Sequence, residues 1–310
     1  MSGADSILFV CCCMKFLSKL SSFHLGLLIV LGGAASYGLC PTASRAVYAD
    51  GGNVTLVVLV MTWARALILG VFSLGMGKRL FATWGDLKES TIGGFFQTVS
   101  VFGFILALVY LPSPVVSIIL HTYTLLLLMF MAWRGEIKLT VVTVVITLTV
   151  LGGLVLVIDP FHTQSEVRLI GAALAFMAAL ATATRLYVYG KQTKARYPTV
   201  VGAENFLIAA VLVSLCSLAV PPHLPSSSTG YIWLALSSVT ATIGSFGMFY
   251  AISLIGSFRY SLFTKIEPVF TVLFSVVLVN EVLKPQQYIG VAVVICSLVI
   301  YQISEQRRKQ

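Results

Sequence analysis

Charge is scarce in this chain. Asp, Glu, Lys and Arg together make up 10% of its 310 residues, against roughly 25% in an average soluble domain. With 58% hydrophobic residues and a mean hydropathy of +0.97, that shortage excludes an ordinary water-soluble domain. Acids are rarer still, 11 against 20 bases, for a net charge of +9. In a soluble protein the excess would point to nucleic acid; in so apolar a chain it reads as Lys and Arg in loops on the cytoplasmic side of a membrane. HExxH, GxSxG, P-loop and GxGxxG patterns are all missing, and no nucleophile–base constellation stands out. Enzyme chemistry and ATP binding by this chain are therefore not expected.

A disulfide framework is missing too. Cys11, Cys12 and Cys13 are adjacent, whereas Cys40, Cys216 and Cys296 lie singly inside apolar runs. None has the spacing of a zinc site, so neither a metal nor another cofactor is expected. Residues 1–22 lack the order of a signal peptide, because Lys15 and Lys19 follow the apolar stretch instead of preceding it. They are read as a cytoplasmic N-terminal segment.

What is present is a series of long apolar runs. About 20 mostly apolar residues cross a membrane as a helix. Charges, Pro and Gly divide the chain into ten such runs, near 24–46, 54–76, 91–110, 113–132, 139–158, 168–189, 200–220, 231–254, 258–279 and 285–303. With the N-terminus inside, Lys78, Arg79, Lys88, Arg134, Lys138, Arg185, Lys191, Lys194 and Arg196 join the terminal bases on the cytoplasmic side, leaving Arg45, Arg168 and Lys284 outside. The positive-inside rule then places both termini in the cytoplasm.

The two halves resemble each other. TASRAVY (42–48) matches TATRLYVY (182–189). Gly93, Gln97, Ser100 and Phe104 align with Ser238, Thr242, Ser245 and Phe249; Ser113, Ser117, His121 and Thr124 align with Ser257, Ser261, Lys265 and Pro268. Each set follows the spacing of one helix face. Five spans per copy is odd, so the second copy enters the membrane from the opposite side. The expected fold is all-α and integral to the membrane, with ten transmembrane helices as two inverted five-helix repeats around a central cavity. The repeats span 23–158 and 159–303, and a basic tail covers 304–310.

Candidate site residues are the polar groups on these stripes and the charges inside spans. Helix packing by Ser and Thr is the competing reading of each single stripe. A charge at membrane depth persists only against a partner or a watered cavity. Lys265 continues the Ser257–Ser261 stripe and is expected to bind an anionic group of a substrate, with Gln97, His121, Tyr123, Ser245 and Ser261 along the path. Glu267 lies about 200° around a regular helix from Lys265, so the two do not face the same way. Pro268 removes a backbone donor and frees the carbonyl of Thr264. Glu267 is expected to shape the path, couple protons or fix packing. Arg65 in the second span and Glu204 in the seventh are expected to pair with one another as a gate.

The run EPVFTVLFSVVLVNEVLKPQQYIGVAVVICSLVIY (267–301) resembles the closing segment of EamA-type carriers of the drug/metabolite transporter superfamily. Glu267-Pro268, Glu281, Gln287 and Gly290 fit that pattern in order and spacing, and Arg65 fits the Arg of its second helix. Where many members carry Trp-Gly in the first helix, this chain has Tyr37-Gly38. The resemblance implies a secondary transporter that moves a small organic solute, an amino acid or other carboxylate-bearing metabolite, by alternating access in a bacterial inner membrane. Its partners would be that solute and membrane lipid, with protons as a candidate coupling ion and no nucleic acid, in a monomer or homodimer. An organic-phosphate or nucleotide-sugar exchanger of an endomembrane and a non-transporting scaffold derived from a carrier remain the alternatives.

Overall fold

The computed structural model describes residues 21–111, 113–158, 169–279 and 284–307. Cys11, Cys12, Cys13, Arg168 and Glu281 lie outside them. The described residues contain no strand. Their helices are α1 (Ser22–Ala49), α2 (Val54–Gly75), α3 (Trp84–Tyr110), α4 (Ser113–His121), α5 (Tyr123–Trp133) and α6 (Val141–Ile158). There follow α7 (Leu169–Ala195), α8 (Pro198–Ser217), α9 (Ser228–Ile255), α10 (Ser257–Phe263), α11 (Glu267–Val279) and α12 (Pro285–Arg307).

Among the described residues, 9 helical segments are long and apolar enough to cross a membrane, with Val115–Trp133 counted as one. The remaining expected span, 258–279, is broken: a 3₁₀ turn over Thr264–Ile266 joins α10 to α11. Pro268 explains the break. Its ring cannot donate to the Thr264 carbonyl, and the Glu267 N–H takes that carbonyl instead in a tighter turn. Pro268 then stands in the first turn of α11, where a missing N–H costs nothing.

Side-chain caps set several boundaries. The Asn53 carboxamide accepts from the Leu56 N–H at 3.0 Å and starts α2. Thr83 and Asp86 form a reciprocal capping box that starts α3 about two turns before the expected position. Consequently Lys88 and Glu89 lie on a helix and not in a loop. Arg185, counted above with the cytoplasmic cations, sits well inside α7.

The outer surface is apolar. On α2, Leu67, Val71 and Leu74 are exposed while Thr62, Leu69 and Ser73 are buried. In water so broad an apolar exterior would aggregate; around a bundle of spanning helices it meets lipid. The chain is a multi-pass integral membrane protein.

Inside, α1 packs along α9, α2 along α8, α3 along α7, and α6 along α12. Hydroxyl bonds tie three of these pairs: Tyr37–Ser245 at 2.7 Å, Ser73–Thr199 at 2.9 Å and Ser100–Thr182 at 2.6 Å. Lipid tails are as apolar as the helices, so association relies on close packing and such bonds. Gly38 is one of the closest approaches. A Cβ there would come within 2.8 Å of Phe270 Cβ and 3.2 Å of the Glu267 carbonyl, where α1 crosses the start of α11. At Gly290 a Cβ would meet the Val157 amide nitrogen at 2.7 Å, where α12 crosses α6. Gln287 bonds across the same crossing, donating to the Val157 carbonyl at 3.1 Å.

Candidate functional site

A cavity of about 340 Å³ lies in the middle of the bundle. That is within the range of small-molecule sites, roughly 300–1,000 Å³. Three charged side chains reach its wall: Arg65 from α2, Arg185 from α7 and Glu267 from the first residue of α11. Gln97, Ser100, Tyr37, His121, Tyr123, Thr182, Tyr260 and Thr264 supply further polar groups. Val58, Val101, Phe104, Ile105, Phe206 and Met248 supply apolar wall. An apolar wall with few polar groups is the usual make-up of a site that orients one small ligand.

The two guanidiniums are placed by rings. Arg65 Cζ lies 5.2 Å from the centre of Phe206, and Arg185 Cζ lies 5.9 Å from that of Tyr189. The Nε of each is buried without a protein partner, as is Gln97 Oε1. Unpaired buried polar atoms are costly, and these three belong to residues that line the cavity.

The predicted residues divide. Gln97, His121, Tyr123, Glu267 and Arg65 come together on the cavity wall; Lys265, Ser245, Ser261 and Glu204 do not. Lys265 is fully buried one layer behind the wall. Its Nζ lies 3.2 Å from His121 Nδ1 and 3.6 Å from the centre of the Tyr123 ring. The face that α10, the 3₁₀ turn and α11 turn to the cavity is Tyr260, Thr264 and Glu267, one residue out of step with the Ser257–Ser261–Lys265 stripe. That stripe instead meets α5 and its neighbours: the Thr124 hydroxyl donates to the Ser261 carbonyl at 3.3 Å. Ser261 Oγ itself bonds the Phe258 carbonyl at 2.7 Å. On α9, Ser238, Thr242 and Ser245 hydroxyls return to their own helix, each to the carbonyl four residues earlier.

The expected Arg65–Glu204 pair does not form. Glu204, 0% exposed, is taken by Arg196 Nη1 at 2.5 Å, the Ser90 hydroxyl at 2.7 Å and the Phe81 N–H at 2.7 Å. Arg196 also reaches Asp86 at 3.3 Å and Glu89 at 3.6 Å. This cluster joins the start of α3, the end of α7 and α8 at one end of the bundle. Between it and the cavity lie the Asn205–Gln192 bond of 2.7 Å and the packed rings of Tyr189, Phe206 and Phe249. Arg196 stands in the short α7–α8 connection, as its place among the loop cations implied, and meets Glu204 eight residues on and Asp86 and Glu89 from the distant start of α3.

Arg185, Tyr37 and Tyr260 are wall residues that sequence reasoning passed over. Arg185 carried a usable signal: it lies in an apolar run long enough to continue the span. Among the described residues no group of three or more His, Cys, Asp or Glu side chains gathers to hold a metal.

A mid-bundle cavity lined by a few charges, in a shell of apolar spanning helices, suits a membrane protein that holds a small polar solute. Residues 169–302, from the start of α7 into α12, match the model of the EamA-like transporter family. That half of the chain is therefore similar to the EamA-type transporters of the drug/metabolite superfamily. A solved crystal structure, 17% identical, is similar in fold, with a TM-score of 0.77 over 92% of this chain and 99% of its own. No curated protein matches this chain.

Proposed function

We propose that this protein is a secondary carrier that moves a small carboxylate-bearing solute, such as an amino acid, through the central cavity by alternating access. The observation that carries the reading is the wall charge: two guanidiniums and one carboxylate on a cavity of about 340 Å³. Arg65 and Arg185 hold the solute's carboxylate, since guanidinium forks match carboxylate geometry. Glu267 faces the solute's cationic group or carries a proton, and Gln97 and Tyr37 orient the remainder. Lys265 holds His121 and Tyr123 in place from behind.

The architecture we infer is ten spans in two inverted repeats of five. The helix pairing supports it: exchanging the halves maps the α1–α9 contact onto α7–α3, and returns α2–α8 and α6–α12 to themselves. The family match covers one such half. The cavity face of the broken span also has a counterpart in the first half, with Leu120 and Tyr123 lying 144 positions before Thr264 and Glu267.

On this reading the Arg196–Glu204 cluster and the rings beside it act as the gate at that end of the bundle. Transport requires that cluster to separate while the opposite end closes. Positive-inside charge supports placing that end in the cytoplasm, with both termini, in a bacterial inner membrane.

The test is counterflow in proteoliposomes against amino acids, organic acids, organic phosphates and cationic drugs. Accumulation of a carboxylate solute that Arg65→Gln or Arg185→Gln weakens is the expected result. A carrier that accepts only cations, or whose uptake ignores both arginines, would overturn the assignment. Imposing a pH gradient separates proton coupling from exchange.

A further inference from the structure

The charges on the wall of the central cavity do not balance. Arg65 and Arg185 stand against the single carboxylate of Glu267. Other described acids are engaged elsewhere. Asp86, Glu89 and Glu204 pair with Arg196, Asp50 accepts the Ser227 N–H at 2.9 Å, and Glu136 accepts the Tyr187 hydroxyl at 2.7 Å. Among the described side chains none of these five lines the wall. Lys265, behind it, brings a further basic group, and its Nζ meets an imidazole and a ring face. The excess of positive charge holds for either state of Glu267, since a protonated carboxyl would only enlarge it.

The rest of the wall makes that excess matter. Val58, Val101, Phe104, Phe206 and Met248 are apolar, and charges act on one another far more strongly beside such groups than in water. A zwitterionic amino acid brings no net charge and leaves the excess in place. A simple monocarboxylate cancels it but offers Glu267 no partner. Two carboxylates and one ammonium mirror the wall group for group. The two guanidiniums are also held separately, Arg65 from α2 on the Phe206 ring and Arg185 from α7 on the Tyr189 ring. Each therefore has a fork of its own for a carboxylate.

We propose that the central cavity is built for an acidic amino acid, with Arg65 and Arg185 each taking one carboxylate and Glu267 taking the ammonium. Gln97 Oε1, which has no protein partner, is a second acceptor for that ammonium. The inference rests on the carrier reading above and narrows it to solutes with a second acidic group.

The experiment is counterflow by the full chain in proteoliposomes, comparing L-glutamate with L-glutamine and L-aspartate with L-asparagine. Within each pair the shape is nearly constant and only the charge changes. In at least one pair the acid should show a KM roughly 10- to 100-fold below that of its amide. Glutarate and succinate, which lack the amine, should be poorer than the matching amino acid. One of Arg65→Gln and Arg185→Gln should bring the acid-to-amide KM ratio near one, because it removes the partner of the side-chain carboxylate. The other should raise both KM values together. Amides accepted as well as acids, or the amine-free diacids accepted as well as the amino acids, would overturn this inference and leave a carboxylate carrier standing. Failure to move any carboxylate solute would instead sink the carrier reading itself. The wild-type comparison decides the charge preference without relying on any variant to fold.

Discussion

Lys265 Nζ lies 3.2 Å from His121 Nδ1 and 3.6 Å from the centre of the Tyr123 ring, whereas Glu267, two residues on, reaches the cavity wall. The 3₁₀ turn between α10 and α11 separates their surroundings. The ammonium is held by an imidazole and a ring face; the carboxylate faces the central cavity. The two charges of the broken helix therefore act at different layers.

Charge removal at the wall should differ from charge removal behind it. Arg65→Gln and Arg185→Gln each remove a charge-assisted bond worth about 1.5–3 kcal/mol, so KM for a carboxylate solute should rise roughly 10- to 100-fold in counterflow. Lys265→Gln should change KM less and depress the maximal rate, because it disturbs His121 and Tyr123 and touches no solute. A larger KM effect from Lys265→Gln than from either arginine would reverse that order.

Gly38→Ala should be costly and Gly32→Ala should not. A Cβ at Gly38 runs into Phe270 and the Glu267 carbonyl, while nothing lies within 4 Å of one at Gly32. Overpacking of this kind costs about 1–3 kcal/mol, and here it pushes α11 away from α1. Thermal unfolding in detergent compares the two, and uptake assays should show loss of transport for Gly38→Ala alone.

Arg196→Ala strands Glu204, which stays buried with only the Ser90 hydroxyl and the Phe81 N–H. Removing one partner of a buried pair costs about 3–5 kcal/mol. Arg196→Ala combined with Glu204→Gln should recover most of that stability, since no uncompensated charge remains. Unfolding within a degree of wild type for Arg196→Ala would show that the pair does not hold this end together.

Gln97→Met should raise stability and lower solute affinity. Gln97 is 7% exposed, and its Oε1 has no protein partner. An unsatisfied buried acceptor costs about 1–3 kcal/mol, which methionine avoids at similar volume. Higher thermal stability with unchanged KM would remove Gln97 from solute recognition.

The signature residues of the closing segment illustrate how sequence and structure divide the information. Pro268, Gln287 and Gly290 were legible as a family pattern, and their work is architectural: one breaks a helix, one bonds across a crossing, one lets two backbones approach. Tyr37 stands where many members carry Trp; its hydroxyl meets Ser245 and its ring lines the cavity.

The sequence by itself determined the membrane class, because apolar runs and scarce charge admit no other solvent for these helices. It also determined which polar residues are expensive enough to require a reason. Only the tertiary structure decided what each of them faces. A helix of period 3.6 turns its face by about 100° per residue, so a one-residue shift moved the cavity stripe from Ser257–Ser261–Lys265 to Tyr260–Thr264–Glu267. Partners from distant segments, such as Asp86 for Arg196, follow from how the helices cross, which no local pattern records.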